Sequence, residues 1–199
     1  MKLYRPVGLY EMEKNLNTKG TAFSAPLPEQ PIFYSVLNKE YAQQIAENWN
    51  TKDESSGFSG FVTEFNIEEE FIKQYSVKNV GGNLHSDYWI PANEMKKFNA
   101  HLIGRITVTD AFYGRNYNGI IPEGITGFKE INPIQQIDNL NAIRNYNPLD
   151  FSGTVSVEWK IMNLNYIYWL SHCSEYSNTI MEISKCLIKN NLLFINYCK

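Results

Sequence analysis

Three short stretches of the chain carry side chains that could do chemistry. The first is Leu3-Tyr4-Arg5-Pro6, which sets a guanidinium near the end of an opening apolar stretch. An arginine there offers several donors to an anion; the plainer reading is a surface Arg beside a core Tyr. The second is Gln30-Pro31-Ile32-Phe33-Tyr34, an aromatic pair behind a proline-rich segment. Such rings can stack on a planar ligand or simply pack a core. The third is Gly81-Gly82-Asn83-Leu84-His85-Ser86-Asp87-Tyr88-Trp89-Ile90-Pro91. Residues i and i+2 of a strand share a face, so a flexible turn delivers His85 and Asp87 to one side, beside aromatics. An acid and a histidine so placed suit acid–base work or the stabilisation of a cation. A polar face on an edge strand is the alternative.

The familiar strong motifs are missing: there is no P-loop, GxGxxG, HExxH or GxSxG. With only His85, His101 and His172, no metal centre is expected. His172 and Cys173 are adjacent, and neighbours on a helix do not face each other, so a Cys–His nucleophile is not expected there. Cys173, Cys186 and Cys198 are odd in number, widely spaced and lack a CxxC pair. They read as reduced, buried thiols of a cytoplasmic protein, not as a disulfide framework or a zinc site.

The net charge of −3 supplies no global field toward nucleic acid or an anionic membrane. The first ten residues hold no apolar h-region, and no run of about 18 apolar residues occurs, so neither a signal peptide nor a membrane partner is expected. Apolar residues at 43% and aromatics at 14% favour a packed core over disorder.

The elements that must position these residues follow from periodicity. Residues 2–7 read as a strand ending at Gly8. Leu9, Met12 and Leu16 then stripe a helix that Gly20 stops. Residues 25–31 hold three prolines and form an irregular loop that feeds 32–36. Asn38 is placed to cap a helix over 39–48 whose apolar face is Tyr41, Ile45 and Trp49. Strands are expected at 58–65, 77–80, 88–90 and 105–109, and helices at 68–75 and 92–100, the last with the stripe Met95, Phe98 and Leu102. Loop chemistry over 113–119 marks a boundary. That gives a domain over 1–115 and a C-terminal segment over 120–199 packed on it. In the segment, 133–143 and 164–189 read as helix and 192–197 as a last apolar run. Val155, Val157, Trp159 and Ile161 alternate with Ser156, Glu158 and Lys160 as a strand should. The segment is therefore expected to be α/β.

Read together, Leu3-Tyr4-Arg5-Pro6-Val7-Gly8-Leu9, Gln30-Pro31-Ile32-Phe33-Tyr34-Ser35-Val36-Leu37-Asn38, Asn48-Trp49-Asn50-Thr51-Lys52, Val80-Gly81-Gly82 and Tyr88-Trp89-Ile90-Pro91-Ala92 resemble a family of small bacterial proteins labelled ADP-ribosylation/crystallin. The resemblance covers about residues 2–112. The order of elements is similar to compact ADP-ribosyltransferases of the DarT-like type. That implies an α+β fold: a split, mostly antiparallel sheet with flanking helices. It also implies NAD as substrate and transfer of ADP-ribose to a macromolecule, protein or nucleic acid, in a toxin or defence component.

Within the resemblance, Tyr4 and Arg5 match the first motif and Phe33 and Tyr34 the aromatic segment, so these four would bind NAD. Asp87-Tyr88-Trp89-Ile90 matches the late strand that carries the catalytic acid, with His85 beside it. Breaking the nicotinamide–ribose bond passes through a cation-like transition state, which a nearby carboxylate stabilises. Those enzymes carry Glu where this chain has Asp87. Asp is a methylene shorter, and about 1 Å of misplacement costs on the order of 100-fold in rate. Glu94, on the following helix, is the fallback acid. The other function the residues allow is a non-catalytic nucleotide- or partner-binding protein of the same fold.

Overall fold

The computed structural model describes residues 1–24, 30–82, 84–119, 128 and 130–196. The chain divides into two compact units, Met1–Arg115, which Asn196 joins, and Asn116–Ile195. Most of the proline loop expected at 25–31, together with Asn83 and Cys198, lies outside the described residues.

The first unit holds β1 (Lys2–Val7), α1 (Leu9–Asn17), β2 (Ile32–Val36), α2 (Lys39–Asn48), β3 (Ser59–Ile67), α3 (Glu69–Ile72), β4 (Val77–Asn79), β5 (Ser86–Pro91), α4 (Met95–Ala100) and β6 (Leu102–Tyr113). The strands form one open sheet in the order β4-β5-β2-β1-β3-β6, every neighbouring pair antiparallel. The fold is mixed α+β, and the strands expected near 2–7, 58–65, 88–90 and 105–109 share that sheet. Pairing within the sheet is uneven. β1 runs beside β3 from Lys2↔Asn66 to Val7↔Phe61, but meets β2 at the single register pair Tyr4↔Val36. Beyond that pair the two central strands part.

One sheet face carries the main core, with Leu3, Phe33, Phe65, Ile90 and Ile106 packed against Phe23 and Phe98. Phe23 meets Phe33 and Phe65 at ring centroids 5.1 and 4.9 Å apart. The α1 stripe Leu9, Met12 and Leu16 is buried as its spacing requires. On the opposite face α2 buries Ala42 and Ala46 against Val36 and Val62. Trp49, expected on the apolar face of α2, is instead 58% exposed. Trp49 is the C-cap residue beyond the last turn of α2, whereas Tyr41 and Ile45 of the same stripe do pack against the cluster, and the helix lies so close to the sheet that a Cβ on Gly60 would stand 2.2 Å from the Ala46 carbonyl oxygen. Asn38 makes no side-chain cap; its Nδ2 donates to the Leu84 carbonyl at 2.8 Å. Leu102, placed on a helix by its spacing, opens β6 opposite Ile67.

The second unit is helical where described, apart from one isolated bridge at Ile195. It contains α5 (Pro133–Tyr146), α6 (Pro148–Val157), α7 (Trp159–His172) and α8 (Ser177–Lys189). This corrects the α/β reading and the strand over 155–161. That alternation straddles the junction of α6 and α7 at Glu158. The buried residues Phe151, Val155, Glu158, Ile161 and Met162 recur at steps of three and four, the helical period. One N-terminal signal bears on the matter: the Asn147 side chain accepts from the Leu149 N–H, and Pro148 opens α6. The stretch 164–189 is two helices, interrupted at Cys173. Burial pushes the Cys173 thiol up.

Candidate functional site

Where β1 and β2 part, a cavity of about 710 Å³ opens. Arg5 lines it from β1, Tyr34 from β2, Asp87 from β5, Glu11 and Lys14 from α1, and Tyr41 from α2. The site is thus built from three strands and two α-helices of the first unit, with Asn50, Asp53, Ser55 and Ser56 of the α2–β3 connection also in its lining. Its volume is that of small-molecule and cofactor sites.

Arg5 spans the gap. Its Nη1–H donates to the Tyr34 carbonyl at 2.7 Å, replacing with a side chain the ladder bond that the parted strands do not make. Nε and Nη2 grip the two carboxylate oxygens of Glu11 at 2.7 and 3.2 Å. The guanidinium lies over the Phe33 ring, 4.1 Å from its centroid, which fixes its plane. Phe33 itself is fully buried, so it supports Arg5 from the core and does not line the cavity.

Asp87 is 5% exposed. Its register neighbours are Val36 on β2 and Lys78 on β4. Burial pushes its carboxyl above the ordinary Asp range, and the indole N–H of Trp89, 3.2 Å from Oδ1, pulls the other way. Burial, and then the Asp87 charge, raises the phenol of Tyr41 nearby. Tyr34 and Trp89 stand edge to face at 5.4 Å, both partly exposed, on the same sheet face as Asp87.

The remaining expected site residues are placed elsewhere. His85 is not a cavity residue. Its Nδ1 accepts the Gly82 N–H at 3.1 Å, so the ring proton sits on Nε2 and points to Gln44 Oε1, also at 3.1 Å. The ring stacks on Tyr41 at 4.3 Å. With both nitrogens and one face engaged, His85 ties the β4–β5 turn to α2. Glu94 accepts a 2.6 Å hydrogen bond from the Tyr75 hydroxyl, outside the cavity lining, and burial followed by this carboxylate pushes the Tyr75 phenol up. Tyr4 packs on the α2 side of the sheet and is not part of the lining.

Glu11, Lys14 and Tyr41 join the cavity without having been singled out as site residues in the sequence, where Tyr41 reads only as part of an apolar helix face. Glu11 had a signal: it is an acid in the first turn of a helix that opens directly after the arginine strand. The N-terminus of α1 has no side-chain cap, and Gly8, Tyr10 and Glu11 border the cavity. Among the described residues no group of three or more His, Cys, Asp or Glu could hold a metal ion. None of the described helices is long and apolar enough to cross a membrane.

Comparison of the chain with protein-family models, with curated proteins and with solved structures finds no match.

Proposed function

We propose that the cleft binds NAD and that the chain transfers ADP-ribose to a macromolecular target. The observation that carries this reading is the convergence of Arg5, Tyr34 and Asp87, from three separate strands, on one cavity of cofactor size. In the reaction the bond between the ribose C1′ and the nicotinamide nitrogen breaks, and nicotinamide leaves with the electron pair. The cationic ribose is captured by a nucleophile of the target, which gives up its proton. Asp87 supplies the negative charge that favours the cation. The Tyr34 ring offers a stacking surface for a planar group. Arg5 and the uncapped first turn of α1 suit the diphosphate.

A second reading is a non-catalytic nucleotide-binding protein. It is favoured by one specific feature: Asp87 is nearly buried, and Oδ1 is already held by Trp89. Incubating the chain with labelled NAD and lysate, beside calorimetric NAD titration, separates the two. Label on protein or nucleic acid, lost in Asp87→Asn, supports transfer. NAD binding without label selects the second reading, and absence of binding removes NAD from the account.

A further inference from the structure

We propose that Glu11 is a resident carboxylate in the fork of Arg5, and that an anionic ligand enters this end of the cleft by exchanging with it.

The geometry of Arg5 separates a fixed edge from an exchangeable one. Nη1 is committed to the Tyr34 carbonyl, an acceptor within the fold itself. The plane of the guanidinium is set by Phe33. That leaves the Nε–Nη2 edge, two parallel donors whose spacing fits a carboxylate or a phosphate equally well. Glu11 occupies that edge with both oxygens.

The two partners differ in freedom. The Arg5 side chain is 11% exposed and the Glu11 side chain 29%. Glu11 can therefore turn into water, while Arg5 cannot. A released Glu11 has somewhere to go, since its partly exposed side chain borders the open cavity, and Lys14, which also lines it, is left to the ligand. Exchange leaves the buried guanidinium charged and paired throughout, and so avoids the penalty of an uncompensated buried charge.

The pair also sets which ligands the site accepts. A neutral group leaves the fork closed. A single weak anion competes with a carboxylate already in place. A ligand with two linked negative groups can hold the Arg5 edge and Lys14 together, so the chemistry selected is a diphosphate. This rests on the reading of the cleft as a nucleotide site only in taking that diphosphate to belong to a dinucleotide.

The test uses the full chain and inorganic pyrophosphate. Calorimetry should show Glu11→Gln binding pyrophosphate roughly tenfold or more tightly than the wild type, because the amide keeps the shape and removes the competing charge. Lys14→Ala should loosen both. In the wild type, the Nε–H resonance of Arg5 should shift as pyrophosphate replaces Glu11. Equal or weaker binding by Glu11→Gln, or an Arg5 resonance unmoved by pyrophosphate, overturns the proposal. If Glu11→Gln does not fold, the wild-type resonance decides alone. NAD is titrated in parallel. Exchange with pyrophosphate but no NAD binding removes the dinucleotide and leaves the exchange standing. NAD binding with Arg5 unmoved overturns the exchange and leaves the dinucleotide.

Discussion

Trp89 donates its indole N–H to Oδ1 of Asp87, two residues earlier on the same face of β5, across 3.2 Å. The bond favours the charged carboxylate in a place where burial favours the neutral acid. Replacing Trp89 by Phe keeps a ring beside Tyr34 and deletes the donor. The Asp87 carboxyl should then titrate at higher pH than in the wild type, read from its carbon resonance across an acid titration. An unchanged midpoint would mean that the indole does not tune Asp87.

Asp87→Asn should have opposite effects on stability and on turnover. The folded carboxyl holds its proton to higher pH than the unfolded one, so the native state binds more protons between the two values. Stability conferred by the wild-type residue therefore falls as pH rises through that window, from about pH 4 upward. Asn removes this slope, and the variant should melt higher than the wild type at neutral pH. If the chain is a transferase, the same change should lower its rate by about 100- to 1,000-fold. Thermal melts over a pH series check the first statement, and labelled-NAD turnover the second.

The pairing of Arg5 with Glu11 should be visible in stability without any ligand. Arg5→Ala leaves the Tyr34 carbonyl without its donor and uncovers the Phe33 face, while Glu11 can turn into water, and should cost on the order of 1–3 kcal/mol. A double-mutant cycle with Glu11→Ala should return a coupling of about 0.5–3 kcal/mol. Denaturant unfolding of the four proteins measures it, and strict additivity would show that the two side chains are independent.

Two glycines should respond in opposite directions. Gly60→Ala drives a Cβ to 2.2 Å from the Ala46 carbonyl oxygen, a backbone atom that cannot move alone, so α2 must shift from the sheet. Overpacking of this kind costs about 1–3 kcal/mol. Gly153 lies within α6 with nothing inside 4 Å of its Cβ position. Gly153→Ala should gain about 0.5–1 kcal/mol from helix propensity. Melting temperatures of the two variants decide both.

The sequence exposed the strands of the first unit because each carries its own local pattern. It also brought Arg5, Tyr34 and Asp87 forward, since charge and aromatic rings beside apolar strands stand out at short range. His85 and Glu94 lie outside the cavity lining for a common reason. Position along a strand or helix says which face a residue takes, but not whether a partner waits there, and Gly82, Gln44 and Tyr75 were waiting. Trp49 misled because the helical spacing runs one residue past the end of α2, where Trp49 is the cap. The strand reading of 155–161 failed because an alternating pattern across a helix junction mimics period two. The cap at Asn147, followed by Pro148, was the better guide. Glu11 was hidden by its ordinary role as a first-turn acid.

The lone Tyr4↔Val36 pair divides the sheet into two leaves, β4-β5-β2 and β1-β3-β6, stitched at one point. Across the seam the Arg5 side chain supplies the next fastening, from one leaf to the Tyr34 carbonyl of the other. The residue proposed to meet a ligand is therefore also the rivet of the sheet. A ligand held on the Nε–Nη2 edge of Arg5 would be joined through one guanidinium to both leaves, so filling the cleft is expected to change the stiffness of the sheet. Amide exchange along β2, on the side that faces the seam, is where that change is read.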